Sequence, residues 1–126
     1  MMTKSLTLAI LAAACVASPL CAQRPKRDYP SCDLARQHRL RAPTGGTIRD
    51  SRQAHIAMRA DILQADIGNA RKARRLSQSE AQRLWQRVAQ IRRDADGFVA
   101  KQGFLSAGET ASYDRALDMV AVRMCR

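Results

Sequence analysis

Apolar positions in the second half of the chain recur at spacings of three and four residues, in three separate stretches. This period places the apolar side chains on one face of an α-helix. The three predicted faces are Ile56, Ala60, Leu63, Ile67 and Ala70, then Ala81, Leu84, Val88, Ile91 and Ala95, then Tyr113, Leu117, Val120 and Met124. The pattern predicts an all-α fold, a small three-helix antiparallel bundle.

Two of these stretches begin with the same short motif, Leu-Ser-x-x-Glu. The two copies lie 29 residues apart: one contains Ser77 and Glu80, and the other contains Ser106 and Glu109. In such a capping box the serine hydroxyl accepts the N–H of the glutamate, and the glutamate carboxylate accepts the N–H of the serine. The motif therefore predicts two helix starts in a short duplicated helix–turn–helix unit.

Proline and glycine divide residues 23–46, which read as a loop-rich segment in which Ser31 is placed to cap a short helix. Thr47 and Asp50 then provide an acceptable helix start, with the acidic residue in the first turn. The prediction is a basic N-terminal arm over 23–46, followed by a helical domain over 47–126.

Residues 1–22 have the composition of a secretory signal peptide. Lys4 precedes an apolar run of about a dozen residues, too short to span a membrane, and small residues follow it. Cleavage is predicted after Ala22, with a cut after Ala17, a retained anchor or a lipoprotein signal acylated at Cys15 as alternatives. The prediction is a periplasmic or secreted protein without a transmembrane segment in its mature chain.

Cleavage after Ala22 would leave two of the four cysteines, Cys32 and Cys125, near opposite ends of the mature chain. In an oxidising compartment an even pair of this kind predicts a disulfide that ties the arm to the last helix. Two free thiols or a metal-binding pair are the alternatives. The sequence has no CxxC motif, so thiol-exchange catalysis is not predicted.

Composition and charge limit the class of protein to which the chain can belong. The chain has 126 residues and a formal net charge of +11, and it is 46% hydrophobic but only 4% aromatic. These values exclude a disordered tail and leave no room for a two-domain enzyme. Residues 71–93 hold eight basic residues and one acidic residue, and we call those eight the positive pole: Arg71, Lys72, Arg74, Arg75, Arg83, Arg87, Arg92 and Arg93.

The positive pole is either a solvated face or a binding surface for phosphate and carboxylate groups, which arginine binds in a bidentate manner. Trp85 lies within it and is read either as the edge of the core or, if exposed beside Arg83 and Arg87, as an anchor for a partner. Export and the scarcity of aromatic residues make nucleic acid a poor match.

Catalytic and metal-binding signatures are weak. His38 and His55 have no spacing that suggests a shared metal, and no GxSxG, HExxH or glycine-rich phosphate motif occurs. The stretch ending at Glu109 resembles half of an EF-hand loop, but Phe98 and Ala100 occupy two of its ligand positions. We predict a non-enzyme with no cofactor and no metal.

The two Leu-Ser-x-x-Glu boxes resemble the helix starts of small exported helical proteins of Gram-negative bacteria. They are also similar to the LTxxQ motif of Spy/CpxP-type periplasmic chaperones, with serine for threonine and glutamate for glutamine. This resemblance, which covers residues 70–126, implies an all-helical periplasmic protein with a basic, client-binding surface.

Together these features predict a non-catalytic, chaperone-like binding protein. Its arginine-rich helix face would bind anionic envelope material or client proteins. One alternative is an immunity or inhibitor-type protein for one exported toxin or enzyme, and a second is an envelope metal-stress protein. The oligomeric state is left open.

Overall fold

The computed structural model describes residues 29–126, and the predicted signal peptide and cleavage sites lie outside them. Within this range a 3-10 helix, Pro30–Cys32, precedes four α-helices. The helices are α1 (Leu34–His38), α2 (Ser51–Lys72), α3 (Gln78–Gln102) and α4 (Ala107–Met124). The described residues contain no strand, only an isolated bridge between Gly45 and Ile48. The predicted helical class is confirmed. No described helix is both long and apolar enough to cross a bilayer.

The long helices begin where the local sequence predicts. The Asp50 carboxylate accepts the Gln53 N–H at the start of α2, 2.8 Å away. Ser106 and Glu109 form the complete reciprocal capping box at the start of α4. At α3 the structure shows the forward half of the box, in which the Glu80 N–H donates to Ser77 Oγ at 3.1 Å.

The buried core consists of the residues that the helical period selects. Every predicted apolar position of α2 and α3 is buried, and α4 buries Leu117, Val120 and Met124. Tyr113 is partly buried and packs against the edge of this cluster. The leucines that precede the two capping boxes, Leu76 and Leu105, are also buried. Each long helix contacts the other two, so one apolar cluster is shared among all three.

The segment before α2 packs against the helices from residue 29 onward. The expectation that Ser31 caps a helix is wrong: Asp33 caps α1 by accepting the Arg36 N–H. Ser31 is instead buried, and both its N–H and its hydroxyl donate to the Asp66 carboxylate on α2, at 2.9 and 2.6 Å. Ser31 therefore binds the Asp66 carboxylate instead of capping a helix. The two residues are 35 positions apart, so no local sequence pattern predicts this contact.

The predicted cysteine pair lies at disulfide distance. The Cα atoms of Cys32 and Cys125 are 5.8 Å apart, and their Sγ atoms are bonded to each other. The bond joins the 3-10 helix to the C-terminal end of α4 across 93 positions of sequence. It therefore closes almost the whole described chain into one loop.

Candidate functional site

The predicted binding residues of helix α3 lie on two different sides of the helix, and these sides face different helices. Arg83 and Arg87 line a groove between α3 and α4. Trp85 lines another groove, between α3 and α2. The structure therefore brings Arg83 and Arg87 together but separates them from Trp85, so the condition for an anchor beside these two arginines is not met.

The groove between α3 and α4 has a volume of about 350 Å³, and we call it the α3–α4 groove. Each helix contributes four lining residues: Glu80, Arg83, Leu84 and Arg87 from α3, and Ala116, Met119, Val120 and Arg123 from α4. Leu84 and Val120 are buried and form an apolar floor, whereas the three arginines are exposed. The Met119 side chain is 75% exposed.

Charge in the α3–α4 groove is unbalanced. Three guanidinium groups, those of Arg83, Arg87 and Arg123, surround a site that holds one carboxylate, that of Glu80. Among the described residues, the structure gives these three arginines no ion pair and no side-chain hydrogen bond. The groove therefore presents cationic groups whose hydrogen-bonding capacity is left to solvent or to a ligand.

Sequence reasoning missed half of this groove. Arg123 and Met119 belong to a helix that is nearly neutral overall, so a charge count along the chain passes over them. Their spacing, with Ala116 and Val120, is that of one helix face, i, i+3, i+4 and i+7. This spacing is visible in the sequence and predicts that the four residues share a helix face. Only the packing of the helices shows that this face of α4 lies beside Arg83 and Arg87.

Other members of the positive pole have partners within the fold. Arg92 forms an ion pair with Asp61 of α2, and Arg93 donates to the side-chain oxygen of Gln90 at 2.7 Å. The guanidinium of Arg75 lies over the ring of Tyr29, 5.3 Å from its centroid. Two more residues lie where α2 ends: Lys72 is its last residue, and Arg74 follows with a left-handed backbone, φ +58°.

Trp85 is 48% exposed, so it is not a core residue. Its groove has a volume of about 280 Å³ and also contains Arg71, whose guanidinium donates to the Gln78 side chain at 3.3 Å. The backbone carbonyl of Trp85 accepts a hydrogen bond from Gln64 of α2. The α2–α3 groove therefore places a half-exposed tryptophan next to an arginine.

A second polar cluster, which the sequence did not reveal, links α2 to α4. Arg59 is only 3% exposed, and its guanidinium donates to Asp114 at 2.5 Å and to Asp118 at 2.7 Å. His55 bonds the same Asp114 at 2.9 Å, and His38 bonds Asp118 at 2.7 Å. We call these five residues the charge cluster.

His55 lies on α2 and is buried, at 9% exposure. Its Nδ1 lies 2.8 Å from the Leu40 carbonyl oxygen, and its Nε2 lies 2.9 Å from an Asp114 carboxylate oxygen. A carbonyl and an ionised carboxylate can only accept, so both ring nitrogens must donate. The geometry therefore fits the positively charged imidazolium.

The pKa values of this pair shift in the directions that this geometry implies. The hydrogen bond to Asp114 raises the pKa of His55, outweighing burial, which acts in the opposite direction. Burial would raise the pKa of Asp114, but the hydrogen bonds from His55 and Arg59 together leave that pKa below its ordinary value. Both groups are stabilised in their charged forms.

The contribution of His55 to stability should consequently fall as pH rises above 6.5. The raised pKa of His55 means that its stabilising contribution is complete below the unfolded value of 6.5 and is lost as pH rises through the folded value. Urea unfolding of the wild type between pH 6 and 9 should show this decline. A His55→Gln variant should lack it, and His38→Gln, at the more exposed histidine, should retain it. Identical pH profiles for wild type and His55→Gln would contradict the assignment.

Comparison of the chain with protein-family models, with curated proteins and with solved structures found no match. Within residues 29–126, no group of three or more histidine, cysteine, aspartate or glutamate side chains is placed to hold a metal ion. The α3–α4 groove is the described site that combines free cationic groups with an accessible apolar surface.

Proposed function

We propose that this chain is a non-catalytic binding protein of the periplasm or the exterior, which uses the α3–α4 groove to engage anionic envelope material or client proteins. The observation that carries the proposal is the set of three arginines without protein partners above an apolar floor. The pairwise packing of the long helices supports the finer architecture proposed with it, a three-helix antiparallel bundle with a basic arm.

Arginine at these positions suits anionic ligands for two physical reasons. The planar guanidinium forms two parallel hydrogen bonds to a carboxylate or phosphate, and the cation is more weakly hydrated than an ammonium group. Leu84 and Val120 add an apolar surface that favours ligands whose charged group is attached to hydrocarbon. Binding should therefore combine salt-sensitive attraction with a salt-resistant apolar contribution.

The test compares two triple variants of equal net charge. The groove variant removes the groove cations by changing three arginines to Gln: Arg83, Arg87 and Arg123. The control variant changes three exposed arginines elsewhere to Gln: Arg36, Arg41 and Arg49. Cosedimentation with phosphatidylglycerol vesicles should weaken about tenfold or more in the groove variant and about threefold or less in the control. Equal losses in the two variants would show that only net charge matters, and the proposed function would be abandoned.

The alternative function is that of an immunity or inhibitor-type protein, which binds one specific exported toxin or enzyme. A different observation favours it. Trp85 is half-exposed in the groove between α2 and α3, beside Arg71. Tryptophan and arginine are the residues on which protein–protein affinity most often depends. Trp85→Ala should leave vesicle binding unchanged under the leading proposal, and a loss of vesicle binding in this variant would move the site to the α2–α3 groove.

A further inference from the structure

The ligand class of the α3–α4 groove follows from its size and from the arrangement of its polar and apolar groups. Its volume of about 350 Å³ falls within the range of small-molecule pockets, about 300–1,000 Å³. A stable protein partner, by contrast, contacts roughly 20–30 residues on each side. Along α3 the lining extends from Glu80 to Arg87, which is about 10 Å of helix. The groove is therefore the size of one small molecule.

The chemistry of the groove divides between its rim and its floor. Arg83, Arg87 and Arg123 provide hydrogen-bond donors without acceptors, as an anionic head group would require. Leu84, Val120 and the exposed Met119 offer a hydrocarbon surface below and beside them. An unbranched methionine adapts to ligands of irregular shape. Inorganic anions would leave that surface in water, and neutral hydrocarbons would leave the arginines unpaired.

We propose that the α3–α4 groove binds a single-chain anionic amphiphile as a monomer, with its carboxylate or phosphate head on the arginines and its aliphatic chain along Leu84, Val120 and Met119. This inference rests on the proposed function, since it specifies the ligand of the same groove. Glu80 is the one carboxylate among the lining residues, so it opposes the head group and limits the charge that the groove accepts.

The experiment titrates the full chain with octanoate, dodecanoate and dodecyl phosphate below their micellar concentrations, following the methyl resonance of Met119 by NMR. Met58 and Met124, which do not line the groove, are internal controls. Dodecanoate should bind about tenfold more tightly than octanoate, because each additional methylene is partly removed from water. Dodecyltrimethylammonium, with the same chain and a positive head, should leave the Met119 resonance in place. Dodecyl phosphate distinguishes a phosphate from a carboxylate preference.

Three variants assign the interaction to the groove. Glu80→Gln should tighten dodecanoate binding about two- to threefold by removing the opposing charge, and it retains the Glu80 N–H that Ser77 caps. The triple Gln variant at Arg83, Arg87 and Arg123 should weaken dodecanoate about tenfold or more. Met119→Ser, at a mostly exposed position, should reduce the chain-length dependence while leaving the fold intact.

The outcomes separate this inference from the proposed function. If vesicle binding depends on the groove arginines but no monomeric amphiphile shifts the Met119 resonance, the proposed ligand class is wrong. The proposed function, binding of anionic material, then stands. If octanoate and dodecanoate bind equally, the apolar floor is not used and the inference is overturned. If both triple variants lose vesicle binding equally, the proposed function itself fails.

Discussion

Replacement of Cys32 and Cys125 by serine should lower the free energy of unfolding by about 4–5 kcal/mol. The chain-entropy model gives this magnitude for a cross-link that closes a loop of this length, because the bond restricts the unfolded ensemble. A domain of this size is expected to have a net stability of only about 5–15 kcal/mol. Loss of the bond should therefore remove a large fraction of this net stability.

Urea unfolding of the wild type with and without dithiothreitol measures this contribution, and the serine double variant should be insensitive to the reductant. Each single variant, Cys32→Ser or Cys125→Ser, breaks the same bond and should lower the midpoint about as much as the double variant does. A wild-type midpoint that does not respond to reductant would show that the bond contributes no stability.

Arg59→Met should destabilise the protein by about 3–5 kcal/mol. The guanidinium is buried and bonded to two carboxylates, so its removal leaves both Asp114 and Asp118 without their shared cation. The expected loss is larger than that of a surface arginine because an unpaired charge in a partly buried site is poorly solvated. Arg115→Met, an exposed change beside Asp114, should shift stability by about 0.5 kcal/mol or less.

A double-mutant cycle attributes that loss to the ion pair. Asp118→Asn removes the ion pair between Arg59 and Asp118. It leaves the bond between His55 and Asp114 in place. Arg59→Met combined with Asp118→Asn should be more stable than the sum of the two single losses predicts, with a coupling of about 1 kcal/mol or more. Additive losses measured by urea unfolding would instead assign the effect to packing of the arginine side chain.

The charge cluster shows why part of the polar structure was invisible in the sequence. His55 and Arg59 are four residues apart on α2, and Asp114 and Asp118 are four apart on α4, so each pair shares a helix face. The same spacing is common on solvent-exposed helix faces. Only the packing of α2 against α4 shows that the two pairs meet.

Trp85 illustrates the opposite case, in which the sequence held the answer. Residues two positions apart on a helix do not face each other. The period therefore places Trp85 away from Arg83 and from Arg87, as the structure shows. Counting charge along the chain grouped these residues together because it ignored the direction in which each side chain points.

The sequence by itself determined the three long helices, their starts and most of the buried apolar positions, since helical period and capping depend on side chains within a few positions of one another. It also singled out the cysteine pair, because only two of the four cysteines lie outside the predicted leader. Tertiary structure alone decided which faces meet: it joined Arg123 to Arg83 and Arg87, and it buried Arg59 between two carboxylates. The physical reason is that these contacts join residues distant in sequence, and the rotation of each helix about its axis is set by packing rather than by local pattern.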